Sequence, residues 1–325
     1  MPLFAYARAS DPAEAFARGR APGAMFIAGG TDLLQLVQER VVRPAEVIDL
    51  ARITDPKIAD EAGGLRIGAA AKLADIAAHP LVAERYAVVA EALTETASPQ
   101  VRNLATAGGN LLQRTRCLYF RDVATPCNKR EPGSGCSAWD GCNRTNAILG
   151  GSPHCIAVQP SDFATALVAC DAEIALAGAD GERRVAAADF HRLPGDTPHI
   201  ETVMAPGEVI TAVHLPASAA ARRSRYLKVR DRASFEWAIC ACAISISFED
   251  GAVADARLVA GGVATKPWRL VQVEAALHGQ PLTEAVIAAA AELAAEGAEL
   301  RQHNAYKAPL LVGTVRKALR EFVRA

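Results

Sequence analysis

Five of the eight cysteines, Cys117, Cys127, Cys136, Cys142 and Cys155, fall within 39 residues. The stretch around them is rich in Gly, Pro, Asn and Arg and is flanked on both sides by α/β-patterned sequence. Irregular runs of this length are uncommon inside a compact domain unless they do a specific job, and thiolates converging from one loop are what an iron–sulfur cluster or zinc needs. The intervals of nine, eight, five and twelve residues contain no CxxC pair. Zinc sites normally use close pairs, so the spacing favours a cluster held by a wrapping loop; a zinc-loop interaction module and unligated thiols stand as the alternatives. Cys170, Cys240 and Cys242 sit in apolar contexts and read as buried small hydrophobes. Arg114, Arg116, Arg121, Lys129, Arg130 and Arg144 surround the loop cysteines. Such cations would stabilise a reduced, negatively charged cluster, or they form a solvated basic face that docks a partner. The histidines at 79, 154, 191, 199, 214 and 303 show no ligand spacing, and His154, beside Cys155, is the one worth testing.

A second kind of chemistry is written in two glycine loops. In Ile27-Ala28-Gly29-Gly30-Thr31-Asp32-Leu33-Leu34 a short apolar run meets two glycines and a helix start. Glycines let backbone amides approach an anion, and a helix beginning at Thr31 adds unpaired N–H groups and a favourable dipole, which suits a diphosphate. Taken alone, a Gly-Gly before a helix is more often just a tight turn, and it is not the GxGxxG of a Rossmann domain. The second loop, Thr106-Ala-Gly-Gly-Asn110, follows the polar stretch Ser98–Asn103. Together the two loops can wrap both ends of a dinucleotide, with Thr106 and Asn110 hydrogen-bonding where glycine permits close approach. Asp162 is suited to accept a proton from a ring N–H and Lys228 to donate to a carbonyl; either is equally suited to an ordinary ion pair.

These residues need a scaffold, and the patterning supplies one. With 325 residues the chain is long enough for two or three domains. Hydrophobic periodicity predicts helices at Ala13–Gly19, Thr31–Arg40, Lys72–His79, Glu84–Thr96 and Phe163–Ala169. It predicts strands at Ala24–Ala28, Glu46–Leu50, Leu65–Gly68, Cys155–Val158, Glu173–Leu176, Glu182–Val185 and Glu208–Leu215. Pro216 and the Ala- and Arg-containing stretch to Arg225 mark a boundary. Beyond it, Arg225–Val229, Trp237–Phe248 and Ala252–Val259 form an antiparallel meander with Glu249-Asp-Gly251 as its turn, and helices at Leu270–Leu277, Leu282–Glu296 and Tyr306–Val323 close the chain. The net charge of −1 gives no electrostatic reason to expect nucleic acid or an anionic membrane. The N-terminus lacks a secretory pattern, and no run reaches the length of a membrane span.

The segments Ile27–Asp32, Ala97–Asn110 and Pro160-Ser-Asp162, with the region after Arg225, resemble the FAD-binding subunit of the molybdenum hydroxylases, the xanthine dehydrogenase family. Most members pass directly from the Gly-Gly-Asn loop to Ser-Asp; the cysteine insertion here is shared by flavin subunits that carry an extra 4Fe-4S cluster. Leu111–Cys117, Pro126–Arg130 and Pro132–Cys136 are similar to the flavin subunit of periplasmic aldehyde oxidoreductase, and the beta subunit of 4-hydroxybenzoyl-CoA reductase is the other clustered relative. The implied fold is α+β: a two-subdomain FAD-binding domain over residues 1–219, with the 4Fe-4S loop inserted at about 111–159, followed by a C-terminal α+β domain over 220–325. The implied FAD contacts are Ile27, Ala28, Gly29, Gly30, Thr31, Asp32, Leu33, Leu34, Thr106, Gly109, Asn110, Asp162, Ile210 and Lys228. The implied cluster ligands are Cys117, Cys127, Cys136 and Cys155, with Cys142 as the rival for the third place. The resemblance also implies a heterotrimer in which a large subunit holds molybdenum cofactor and a small one holds 2Fe-2S clusters. Substrate chemistry then occurs on the molybdenum subunit, no catalytic residue lies on this chain, and electrons leave through FAD to an external acceptor. Export to the periplasm would depend on a signal-bearing partner, with the cytoplasm as alternative. The rivals are reduction of an aromatic acyl-CoA and a non-catalytic iron–sulfur protein.

Overall fold

The computed structural model of the chain describes residues 2–323. Three sheets organise the described residues. The first joins β1 (Ala5–Arg8), β2 (Ala24–Ile27) and β3 (Glu46–Asp49) in the order β1-β3-β2, all parallel. The Ala24–Ile27 apolar run becomes a strand whose carboxyl end opens directly onto Gly29-Gly30. That end is where open parallel sheets bind ligands. The second sheet comprises β4 (Ile58–Glu61), β5 (Gly64–Gly68), β6 (Glu173–Gly178), β7 (Gly181–Ala186) and β8 (Val209–Leu215), antiparallel in the order β4-β5-β8-β6-β7. The third holds β9 (Ser224–Val229), β10 (Cys240–Glu249), β11 (Ala252–Gly261) and β12 (Trp268–Arg269) as the antiparallel meander the patterning predicts. Its hairpin turns at Asp250-Gly251, with φ of 49° and 81°. Two successive positive φ values are what a two-residue turn needs to match strand twist, and Asp-Gly supplies them at low cost.

Several boundaries move, each for a local reason. The predicted helix Glu84–Thr96 is broken at Tyr86, whose φ of −143° separates Pro80–Arg85 from Ala87–Thr94. Tyr86 is buried and its hydroxyl donates to Leu215 O and Pro216 O, so a tertiary anchor overrides helical propensity. The helix expected over Thr31–Arg40 is regular only over Leu33–Gln38. Cys155–Val158 joins no sheet, Cys155 making only an isolated bridge with Ser152, β4 lies where no strand was predicted, and the last long helix runs Lys307–Arg320.

The main core crosses the boundary expected near 220. Leu73, Val89 and Leu93 pack with Phe163 and Leu167 of the helix Asp162–Ala169 and with Tyr226, Ala243 and Val259 of the third sheet. A second core lies between that sheet and the closing helices, where Cys240 and Cys242 sit fully buried, as their apolar context predicts. A third, smaller cluster joins Leu36 and Val41 to Cys117, Phe120, Cys127, Cys155 and Ile156. The cysteine segment therefore has an apolar interior of its own. Its only helix is Leu118–Arg121.

Candidate cofactor sites

The two glycine loops face each other across a cleft of about 450 Å³ lined by Ile27–Leu33, Thr96, Ala97, Thr106, Gly109, Asn110, Arg114, Arg116, Phe235 and Trp237. Close backbone contact brings the loops together: a Cβ on Gly29 would collide with Leu104 O, so only glycine is tolerated there. Gly30 adopts φ +71°, turning the chain so that the N–H groups of Gly30, Thr31, Asp32 and Leu33 have no hydrogen-bond partner among the described residues. A row of unpaired amides on a cleft wall is a ready anion site. Across from it, Thr106 Oγ1 accepts from Gly109 N at 3.2 Å and caps the short helix Ala107–Leu111. Asn110 is buried, and its side-chain oxygen accepts from Ser161 Oγ at 2.6 Å. This chemistry fits the diphosphate of FAD.

Three residues assigned to the flavin by resemblance stand outside this wall. Asp162 and Lys228 form a buried ion pair at 2.8 Å, their side chains 3% and 1% exposed. Asp162 also accepts from Tyr226 Oη at 2.6 Å and Thr96 Oγ1 at 3.1 Å, and Lys228 donates to Glu95 O. The pair thus backs the cleft through Thr96 rather than lining it. Burial, reinforced by the Asp162 charge, raises the Tyr226 phenol well above its ordinary range, so that hydroxyl remains a donor. Ile210 is a buried β8 residue packed behind Gly108.

Asp32, by contrast, lines the cleft without capping its helix. Its carboxylate accepts from Arg116 Nη1 at 2.5 Å, Arg121 Nη2 at 2.9 Å and the Arg114 backbone N–H at 2.8 Å. These partners hold it below the usual carboxylate range against the opposing cost of burial. Arg116 lies 4.2 Å over the Trp237 ring. The other cations are also engaged: Arg114 and Lys129 pair with Glu201, Arg130 donates to Tyr119 O and Phe120 O, and Arg144 pairs with Asp231. Arg114, Arg116, Arg121, Lys129 and Arg130 are therefore tied into clasps within the fold, whereas the Arg144–Asp231 pair is exposed, as the alternative of a solvated basic face has it.

Cys117, Cys127, Cys136 and Cys155 line one narrow cavity; Cys142 does not. Cys142 is exposed, its N–H donating to Tyr119 Oη at 2.7 Å. The wrapping is local. Cys127 and Cys136 face each other across an isolated bridge. The Asn128 side chain accepts from Gly133 N and Gly135 N, glycines at φ +88° and +106°. Burial pushes the Cys155 thiol up to about 12 and raises Cys136, and in both cases neighbouring loop thiols add to the shift. Such a set holds thiolates only around a compensating positive centre. Ala157 N–H and Asn146 Nδ2 reach the sulfurs of Cys155 and Cys117 at 3.4 and 3.5 Å. Four thiols lining one cavity are a donor set suited to a metal centre. His154 lies on the rim, its ring 3.3 Å from Asp196.

The family model describing the FAD binding domain in molybdopterin dehydrogenase matches residues 2–218. The chain belongs to that family. A second model, the CO dehydrogenase flavoprotein C-terminal domain, matches residues 225–322. The aldehyde oxidoreductase FAD-binding subunit PaoB of Escherichia coli is 48% identical over 280 residues, covering 85% of this chain and 86% of that one. The carbon monoxide dehydrogenase medium chain of Hydrogenophaga pseudoflava is 27% identical over 91% of this chain and 88% of its own. A solved structure of that dehydrogenase superposes with a TM-score of 0.75 at 26% identity, covering 98% and 96% of the two chains. Quinoline 2-oxidoreductase from Pseudomonas putida 86 shares the fold at 0.76 and 24%, with the same coverage. The flavoprotein is thus an FAD-binding oxidoreductase subunit with the α+β fold that its motifs imply. No helix among its described residues is long and apolar enough to cross a membrane.

The Arg116–Trp237 stack, the Glu201 clasp and the Tyr226–Asp162 contact were not foreseen from sequence. Their partners are 121, 87, 72 and 64 residues apart, and no local pattern encodes such pairings.

Proposed function

We propose that this chain is the FAD- and 4Fe-4S-binding electron-transfer subunit of a molybdenum-dependent aldehyde oxidoreductase, which converts aldehyde and water to carboxylic acid. The observation that carries the reading is the presence, in one chain, of an amide-lined cleft and a four-thiol cavity bordering on the shared segment Arg114–Cys117. FAD supplies exchange between two-electron and one-electron steps. The chain's own part is to hold and tune. The N–H groups of Gly30–Leu33 take the diphosphate, Thr106, Gly109 and Asn110 shape the opposite wall, and Asp162, Ile210 and Lys228 fix that wall from behind. Cys117, Cys127, Cys136 and Cys155 hold the cluster, and the N–H donors to sulfur favour its reduced state.

In this reading residues 1–219 and 220–325 are the two structural units and 111–159 the cluster insertion. The substrate is handled by a large subunit with molybdenum cofactor, a small subunit brings 2Fe-2S clusters, and co-export with a signal-bearing partner carries the chain to the periplasm. The likeness to PaoB over most of both chains supports the aldehyde assignment. The test is quantification of iron, molybdenum and flavin in the co-purified complex, with activity assays on aromatic aldehydes and on aromatic acyl-CoA. The reading expects one FAD per chain, about four iron atoms beyond those of the small subunit, no zinc, and aldehyde turnover. Acyl-CoA reduction alone would favour the reverse reaction, and a colourless complex would end the proposal.

A further inference from the structure

We propose that Asp32 couples the flavin cleft to the iron–sulfur loop, so that each cofactor is held more tightly when the other is in place. The inference rests on the reading that this chain binds both, and it gives the Asp32 side chain a connecting role beside the diphosphate contact of its backbone N–H. A carboxylate beside a diphosphate would repel it. Here the charge is balanced at the cleft wall by the insertion, through Arg116, Arg121 and the Arg114 N–H. Those three partners lie within Arg114–Arg121, the segment that carries Cys117 and its helix.

A second observation comes from the same short helix, Leu33–Gln38. The unpaired amides of Gly30–Leu33 that lead into it belong to residues lining the cleft, while Leu36, 2% exposed, packs in the apolar cluster with Cys117, Cys127 and Cys155. One element therefore has one end in each site. Arg121 strengthens the join by donating to Thr115 O and pairing with Glu39. Arg116 carries it to the far wall by lying over Trp237. Anything that orders the Gly30–Leu33 amides fixes Asp32, and Asp32 fixes the backbone that presents Cys117. By linkage the effect must run equally in the other direction.

The experiment uses the complex as isolated with its partner chains. FAD dissociation is measured by the rise in free-flavin fluorescence, for the iron-replete complex and after removal of the chain's cluster with oxidant and chelator. The comparison is made in wild type, Asp32→Asn and Asp32→Glu. In wild type, loss of the cluster should weaken FAD binding about tenfold, the equivalent of about 1.4 kcal/mol of coupling. Asp32→Asn should bring the ratio close to one, while Asp32→Glu should restore part of it. A merely structural role would lower FAD affinity in both iron states and leave the ratio intact. That result, or a wild-type ratio of one, overturns the inference. Should Asp32→Asn fail to assemble, Arg116→Gln removes the same contact from the other side and must collapse the ratio likewise. Absence of iron or FAD from the wild-type complex would instead strike down the parent reading, so the two failures are separable.

Discussion

Lys228→Met isolates the buried Asp162–Lys228 pair. In the native fold Lys228 Nζ reaches Asp162 Oδ2 at 2.8 Å with both side chains almost fully enclosed. Replacing the ammonium by an apolar chain of similar length leaves a carboxylate in that enclosure, with only Tyr226 Oη and Thr96 Oγ1 to solvate it. Removing one partner of a buried pair costs about 3–5 kcal/mol, because the remaining charge is uncompensated. Asp162→Asn should cost a similar amount by stranding Lys228 with Glu95 O alone. The double variant Asp162→Asn/Lys228→Met carries no stranded charge, and the introduced amide oxygen can still accept from Tyr226. It should therefore be more stable than the sum of the single effects by about 3 kcal/mol, outside the few tenths expected of independent sites. Urea unfolding of the purified chain, followed by far-ultraviolet circular dichroism with a common m value, measures all four corners of the cycle. Single costs below about 1 kcal/mol, or additivity of the pair, would refute the view that this contact clamps the third sheet to the helix Asp162–Ala169.

Cys127→Ser should abolish the chain's cluster iron, whereas Cys142→Ser should leave it intact, since Cys142 lies outside the four-thiol cavity; iron analysis of the two complexes distinguishes them. Gly30→Val puts a β-branched residue at φ +71° with its Cβ 3.1 Å from Leu34 Cδ1, a strain of about 1–3 kcal/mol, and should drive off FAD, read as the flavin-to-protein ratio. Burial holds His191 down to about 4 from 6.5. The folded state then binds fewer protons than the unfolded one, so its contribution is full above pH 6.5 and is lost as pH falls towards 4, a decline of up to about 3 kcal/mol. Denaturant midpoints across that window should fall, and His191→Gln should flatten the fall.

Much of the molecule was legible where local rules govern. The Asp250-Gly251 hairpin, the buried Cys240 and Cys242 and the Gly29-Gly30 turn all appear in the places their sequence suggests. Each depends on neighbours in the chain: a turn needs positive φ, an apolar strand needs burial, and a close approach needs the absence of a Cβ. The errors arise where a distant partner intervenes. Tyr86 leaves the helix because the Leu215 and Pro216 carbonyls accept its hydroxyl.

The amino-acid order by itself determined the family, the presence of two glycine loops able to approach an anion, and a concentration of thiols too loosely spaced for a zinc ribbon. Only the tertiary structure decided which four of the five loop cysteines share a cavity, and that the Asp32 carboxylate pairs with the arginines of the insertion. Residue type fixes what a group can donate, accept or bury. The partner it meets depends on how segments far apart in the chain pack, and that choice is settled by the burial and electrostatics of the whole fold.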